Sequence, residues 1–134
     1  MQKDLLSNLL KRNPNAVFVC SLGTISYDMK ELIEGKDLGK REVYFVPGAM
    51  GCVMGIGLGY ALSSKKKVIV LVGDGSYAMK MGSVLTIGAY NPKNLELHLF
   101  ENNIYASTGG QSINFDFPSI EWQKKNFKPY EILR

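Results

Sequence analysis

KVIVLVGDGS (residues 67–76) and LELHLFENN (residues 95–103) are the stretches whose reading decides the fold. Lys67 to Val72 is an apolar run that reads as a buried strand, and Gly73-Asp74-Gly75 ends it. A helix-compatible stretch, Ser76 to Tyr90, follows at once. A second apolar segment, Leu95 to Phe100, then brings Asn102-Asn103 to its own C-terminal end, 26 residues lying between Gly75 and Asn102. Two adjacent strand ends therefore present a carboxylate and a carboxamide to one crevice, beside a fresh helix N-terminus.

Those residue types suit a hard cation that holds a diphosphate. Mg²⁺ takes about six oxygens at roughly 2.0–2.1 Å and usually only one or two from carboxylates. Asp74 offers a charged oxygen and an asparagine amide a neutral one, which leaves positions for phosphate oxygens and water. Gly73 and Gly75 let the backbone turn and approach phosphates with no Cβ in the way. The unpaired N–H groups that open the next helix point at an anion, and the helix dipole adds to them. Taken singly, a Gly-Asp-Gly or an asparagine pair is ordinary turn chemistry. Their ordered occurrence, each after an apolar strand and with a helix between, is what points to a cofactor site.

Working outward, the chain alternates strand and helix patterns. A helix over about residues 2–12 leads through Asn13-Pro14-Asn15 into a strand, Ala16 to Cys20. A loop with Gly23, a helix to about Glu34 and a charged connection from Gly35 to Arg41 follow. The strand Val43 to Val46 stops at Pro47-Gly48, and a helix of small residues runs over about 49–63. Strands spaced by helices predict right-handed crossovers and an α/β, doubly wound, mostly parallel sheet with helices on both faces. Ligands on such sheets bind outside the carboxyl ends of the strands. Ser21 to Thr24, Pro47 to Gly51, Gly73 to Gly75 and Asn102-Asn103 all fall on that edge. At the far end, Phe115 to Ser119 reads as a short helix start and Tyr130 to Leu133 as the start of a last strand, so the sheet looks short at its C-terminus.

Composition bounds the function. With 134 residues, 46% hydrophobic and 21% charged, the sequence reads as one soluble globular domain spanning 1–134. The net charge of +4 owes much to Lys65-Lys66-Lys67, a run with no interleaved aromatics, so nucleic-acid binding is not expected. The N-terminus reads as an amphipathic helix and not as a signal peptide, and no stretch reads as a membrane span. Cys20 and Cys52 lack metal or redox spacing, which makes a reduced, cytoplasmic setting the expectation. Both cysteines, and His98 inside the second strand, read as packing residues. Gly55, Gly57 and Gly59 are spaced i, i+2, i+4 within a helix, so they are not a dinucleotide fingerprint.

The Gly-Asp-Gly and Asn-Asn pair resembles the thiamine diphosphate (ThDP) motif of ThDP-dependent enzymes. That resemblance implies Asp74, Asn103 and the backbone carbonyl of Tyr105 as Mg²⁺ ligands, with Asn102 in support and Ser76 beside the diphosphate. Gly73, Gly75, Gly23, Thr24 and Ala106 would complete the cofactor contacts. Gly48-Ala49-Met50-Gly51 is similar to a turn of ThDP decarboxylases in which the first glycine's carbonyl meets the aminopyrimidine. The large apolar residue there wedges the cofactor into a bent shape, and Gly48 and Met50 match those two positions. Tyr105 to Gln111 resembles the segment after the asparagine pair in phosphonopyruvate and sulfopyruvate decarboxylases, which places Thr108 and Gln111 near substrate. Leu22-Gly23-Thr24, with Tyr27 to Leu32, is similar to another stretch of that group, although Asp28 and Met29 do not reproduce its arginine. The resemblance spans roughly residues 14–115.

Its implied activity is decarboxylation of a small anionic 2-oxo acid to an aldehyde and CO₂, with phosphonopyruvate or sulfopyruvate as substrate. In this superfamily a glutamate on a separate pyrimidine-binding domain activates the cofactor. Glu31, Glu34 and Glu42 match no such position, so a partner chain that carries that glutamate is expected, in a hetero-oligomer. The alternatives are an acyl-transfer enzyme subunit of acetolactate synthase type and a non-catalytic ThDP-binding module.

Overall fold

The computed structural model describes residues 1–114 and the backbone of residues 130–133. The helix proposed over Phe115 to Ser119 lies outside the described residues. In chain order the described elements are α1 (Gln2–Arg12), β1 (Val17–Ser21), α2 (Thr24–Ile33), β2 (Glu42–Val46), α3 (Cys52–Ser63), β3 (Val68–Gly73), α4 (Asp74–Met79), α5 (Gly82–Tyr90) and β4 (Leu95–Phe100). A short hairpin, β5 (Ile104–Tyr105) and β6 (Gln111–Ser112), encloses a 3₁₀ turn at Ala106–Thr108, and β7 (Tyr130–Leu133) comes last.

Five strands form one sheet in the order β2-β1-β3-β4-β7, and every neighbouring pair is parallel. The central strands β1 and β3 are apolar on both faces because helices cover both. Phe18 and Cys20 of β1 and Ile69 and Leu71 of β3 point at α1 and α2, where they meet Leu6, Leu9, Ile25 and Met29. The alternate residues Val17, Val19, Val68, Val70 and Val72 point at α3 and α5, against Val53, Met54, Leu58, Val84 and Ile87. Strand period two splits each continuous apolar run between two cores. Gly57 brings α3 onto β3: a Cβ there would lie 2.2 Å from Val70 Cγ2. Among the described residues no helix is long and apolar enough to cross a membrane.

Two helix boundaries differ from the sequence expectation. The helix expected over about 49–63 starts at Cys52, because Gly48 and Gly51 adopt φ of +68° and +82°, a left-handed backbone that cannot propagate an α-helix. Ser76 to Tyr90 is two helices, broken at Lys80-Met81, and the first already begins at Asp74. The break falls where Lys80 packs on Gly51, 2.4 Å from where a Cβ would sit, and beside Gly82, a local breaker that opens α5.

Candidate functional site

From β1 the chain crosses to β2 on one side, then returns past β1 to β3 and β4 on the other. The carboxyl ends of β1 and β3 therefore flank the topological switch point, where an open parallel sheet leaves a crevice. A cleft of about 150 Å³ lies there. Leu22, Gly23 and Thr24 after β1, Gly73 to Ser76 after β3 and Glu101-Asn102 after β4 line it, and the hairpin residues Ile104 to Thr108 complete the wall.

Asp74 is the node of the cleft. It is 3% exposed, and its carboxylate collects three backbone donors. Oδ1 accepts the N–H of Gly75 at 2.9 Å, and Oδ2 accepts those of Asn102 at 2.8 Å and Asn103 at 2.6 Å. The charge of Asp74 thus fastens the end of β4 to the end of β3. A carboxylate oxygen has about two acceptor sites. Oδ2 uses both, whereas Oδ1 keeps one open. Asn102 Oδ1 accepts the N–H of Ile104 at 3.0 Å, and Asn103 sits at φ +60°, so the asparagine pair makes the turn that aims the chain into β5.

Above Asp74 the hairpin folds back on the glycine turn. A Cβ on Gly75 would come within 2.8 Å of the Tyr105 ring and 3.0 Å of Met50 Cε, so the bare glycine is what lets these two side chains close over the strand end. The Tyr105 carbonyl accepts the Gly110 N–H at 3.1 Å and the Thr108 hydroxyl at 3.4 Å. Gln111 Nε2 donates to the Thr108 carbonyl at 2.9 Å, which ties the tip of the hairpin to itself. Beneath the cleft, Ser21 and Ser76 hydroxyls meet at 2.9 Å, both buried.

Of the residues singled out from sequence, Gly23, Thr24, Met50, Gly73, Asp74, Gly75, Ser76, Tyr105, Ala106 and Thr108 share this one cleft. Gly48 and Ala49 stand on the turn before Met50, outside the lining. Asn103 reaches the cleft through its backbone N–H and Gln111 through Thr108. His98 lies away from the cleft, 1% exposed, with Nε2 3.3 Å from Glu96 Oε2. Sequence reasoning missed Ser107 and the start of α1, where Met1, Gln2 and Leu5 form part of the wall. Only tertiary packing puts them there: Gln2 Nε2 donates to Asp28 Oδ2 of α2 at 2.7 Å. No three His, Cys, Asp or Glu side chains gather among the described residues; Asp74 and Glu101 are the two acidic residues that line the cleft.

A parallel sheet with helices on both faces, and with a carboxylate node and glycine turns at its switch point, is an α/β domain of the doubly wound class. The family described as thiamine pyrophosphate enzyme, C-terminal TPP binding domain, matches residues 23–133, and the chain belongs to it. A relative from Methanocaldococcus jannaschii, named sulfopyruvate decarboxylase subunit beta, is 44% identical over 90 residues, which cover 67% of this chain and 47% of that protein. Phosphonopyruvate decarboxylase from Streptomyces viridochromogenes is 36% identical over 118 residues, covering 86% of this chain and 29% of that one. The chain thus spans about half the length of the sulfopyruvate relative it matches. A solved structure from Mycobacterium smegmatis, described as thiamin diphosphate-dependent, superposes with a TM-score of 0.61 at 19% identity, over 85% of this chain and 23% of that chain. At that identity the likeness speaks for the fold. The family is the one expected from the Gly-Asp-Gly and Asn-Asn motifs.

Proposed function

We propose that residues 1–134 form the diphosphate-binding subunit of a split, ThDP- and Mg²⁺-dependent 2-oxo acid decarboxylase. The observation that carries this reading is the Asp74 node: one buried carboxylate, with an acceptor site to spare, at the switch point of a domain of the thiamine pyrophosphate family. Asp74 Oδ1 and the Asn103 amide would hold Mg²⁺, and the Tyr105 carbonyl would join them by giving up its long contact with Thr108. Gly73, Gly75 and Ser76 would cradle the diphosphate, with Gly23, Thr24 and Ala106 around it. Gly48, Ala49 and Met50 would carry and bend the rings. When bound, ThDP supplies the electron sink that makes loss of CO₂ from a 2-oxo acid feasible. Thr108 and Gln111, on the hairpin tip at the cleft mouth, would meet the substrate, a small anionic 2-oxo acid such as sulfopyruvate or phosphonopyruvate.

Two observations support a partner. The cleft, at about 150 Å³, is smaller than the roughly 300–1,000 Å³ usual for a small-molecule site, as expected of a wall completed by another chain. A relative bears the name subunit beta. The partner would bring the pyrimidine-binding face and its glutamate. The test is calorimetric titration of the full chain with ThDP, with and without Mg²⁺, followed by an aldehyde assay on both 2-oxo acids in the presence of the partner. Mg²⁺-dependent binding with product only in the mixture is expected. Full turnover by the purified chain alone would remove the split-subunit part, and no ThDP binding even with the partner present would remove the reading.

A further inference from the structure

Ser21 ends β1 and Ser76 lies in the first turn of α4, 55 positions apart in sequence, yet their hydroxyl oxygens are 2.9 Å apart. Ser21 is 2% exposed and Ser76 4%. The cleft is lined by Ser76 and not by Ser21. The strand end that carries Ser21 is fixed in turn, because the Ser26 hydroxyl donates to the Ser21 carbonyl at 2.6 Å.

One proton can lie between the two oxygens, and burial decides whose it is. Were Ser76 to donate, the Ser21 proton would have no acceptor among the described residues, inside a core where an unmet donor is costly. With Ser21 as donor, its proton is satisfied and the Ser76 oxygen accepts. The Ser76 proton is then free, on the one residue of the pair that faces the cleft.

We propose that Ser21 is a positioning residue: by donating to Ser76 Oγ it turns the Ser76 proton into the cleft, where that proton is donated to an oxygen of a bound diphosphate. This rests on the reading of the cleft as a diphosphate site. It gives the end of β1 a part in anion binding that neither Gly-Asp-Gly nor Asn-Asn supplies. Ser21 touches no ligand and acts through Ser76 alone.

The test is a double-substitution cycle on the full chain, with the Kd for ThDP in the presence of Mg²⁺ read by calorimetry and unfolding of the ligand-free protein as a control on the fold. Ser21→Ala and Ser76→Ala should each weaken binding by about tenfold, the loss of one hydrogen bond to a charged group. The combined variant should bind no more weakly than Ser76→Ala alone. Ser21→Cys, which keeps the volume and weakens the donor, should fall between wild type and Ser21→Ala, and it serves if the alanine variant does not fold. Wild-type affinity in both Ser21 variants, or a Ser21 penalty undiminished in the Ser76→Ala background, would overturn the inference and leave the diphosphate site standing. A wild-type chain that binds no ThDP even with its partner present would overturn both.

Discussion

Asp74 Oδ2 accepts the backbone N–H of Asn103 at 2.6 Å, across 29 positions of sequence, and the N–H of Asn102 beside it. The two motif halves are therefore joined in the protein itself, before any cation is considered. The aspartate works as a structural staple as well as a ligand candidate.

That double role makes Asp74→Ala informative. Three backbone donors would lose their acceptor, one at the start of α4 and two at the end of β4. Bonds to charged groups are worth about 1.5–3 kcal/mol each, and the freed groups partly regain water, so a loss of about 2–4 kcal/mol is expected in urea unfolding. Mg²⁺-dependent ThDP binding should fall by more than about 100-fold, beyond the cost of losing a supporting group around a metal. A variant with wild-type stability and lost binding would mean that the three bonds contribute little.

Gly75 predicts a coupled pair. An alanine there would stand 2.8 Å from the Tyr105 ring, so the hairpin must shift. Overpacking of this kind costs about 1–3 kcal/mol. Tyr105→Ala in the same chain removes the obstruction, so the double variant should be destabilised by less than the sum of the two single changes. Additive losses in a denaturant series would show that the ring yields freely.

How much of this was legible differs by element. The strand Leu95–Phe100 and the helix Gln2–Arg12 stand where the apolar pattern puts them, since each carries an unbroken period and a clear stop. That residues from the ends of β1, β3 and β4 share one cleft was legible as well, because parallel strands bring all their C-terminal ends to one side. The break at Lys80-Met81 was not read, although Gly82, which opens α5, is a local breaker beside it; the packing of Lys80 on Gly51 accompanies it. Nor was the hairpin Ile104 to Ser112, whose two-residue strands are too short to show a period. Nor was the parting of Gly48 from Met50: Gly48 and Gly51 have positive φ, and Met50 lines the cleft while Gly48 does not.

Glu96 predicts an acid-sensitive region remote from the cleft. Its hydrogen bond with His98, and then its ion pair with Lys67 at 2.6 Å, hold its carboxyl down at about 2 from an ordinary 4.5. A depressed carboxyl contributes stability that is present above the unfolded value and lost as pH falls through the folded one. The window is therefore from about pH 4.5 to about pH 2. Wild type should lose stability across it more steeply than Glu96→Gln, measured as urea midpoints at successive pH values. Parallel profiles would show that the pair is screened by solvent.

The two cysteines predict a clean separation of reactivity. Cys20 lies in β1, fully buried, and burial pushes its thiol up to about 12. The thiolate is the nucleophile, so at neutral pH Cys20 is both shielded and protonated. Cys52 opens α3 and is exposed. An aromatic disulfide reagent at pH 8 should therefore titrate one thiol per chain rapidly in the folded protein and the second only after denaturant is added. Cys52→Ser should abolish the fast phase and Cys20→Ser the slow one. Two fast thiols in the native protein would mean that β1 opens on the timescale of labelling, which the buried sheet centre argues against.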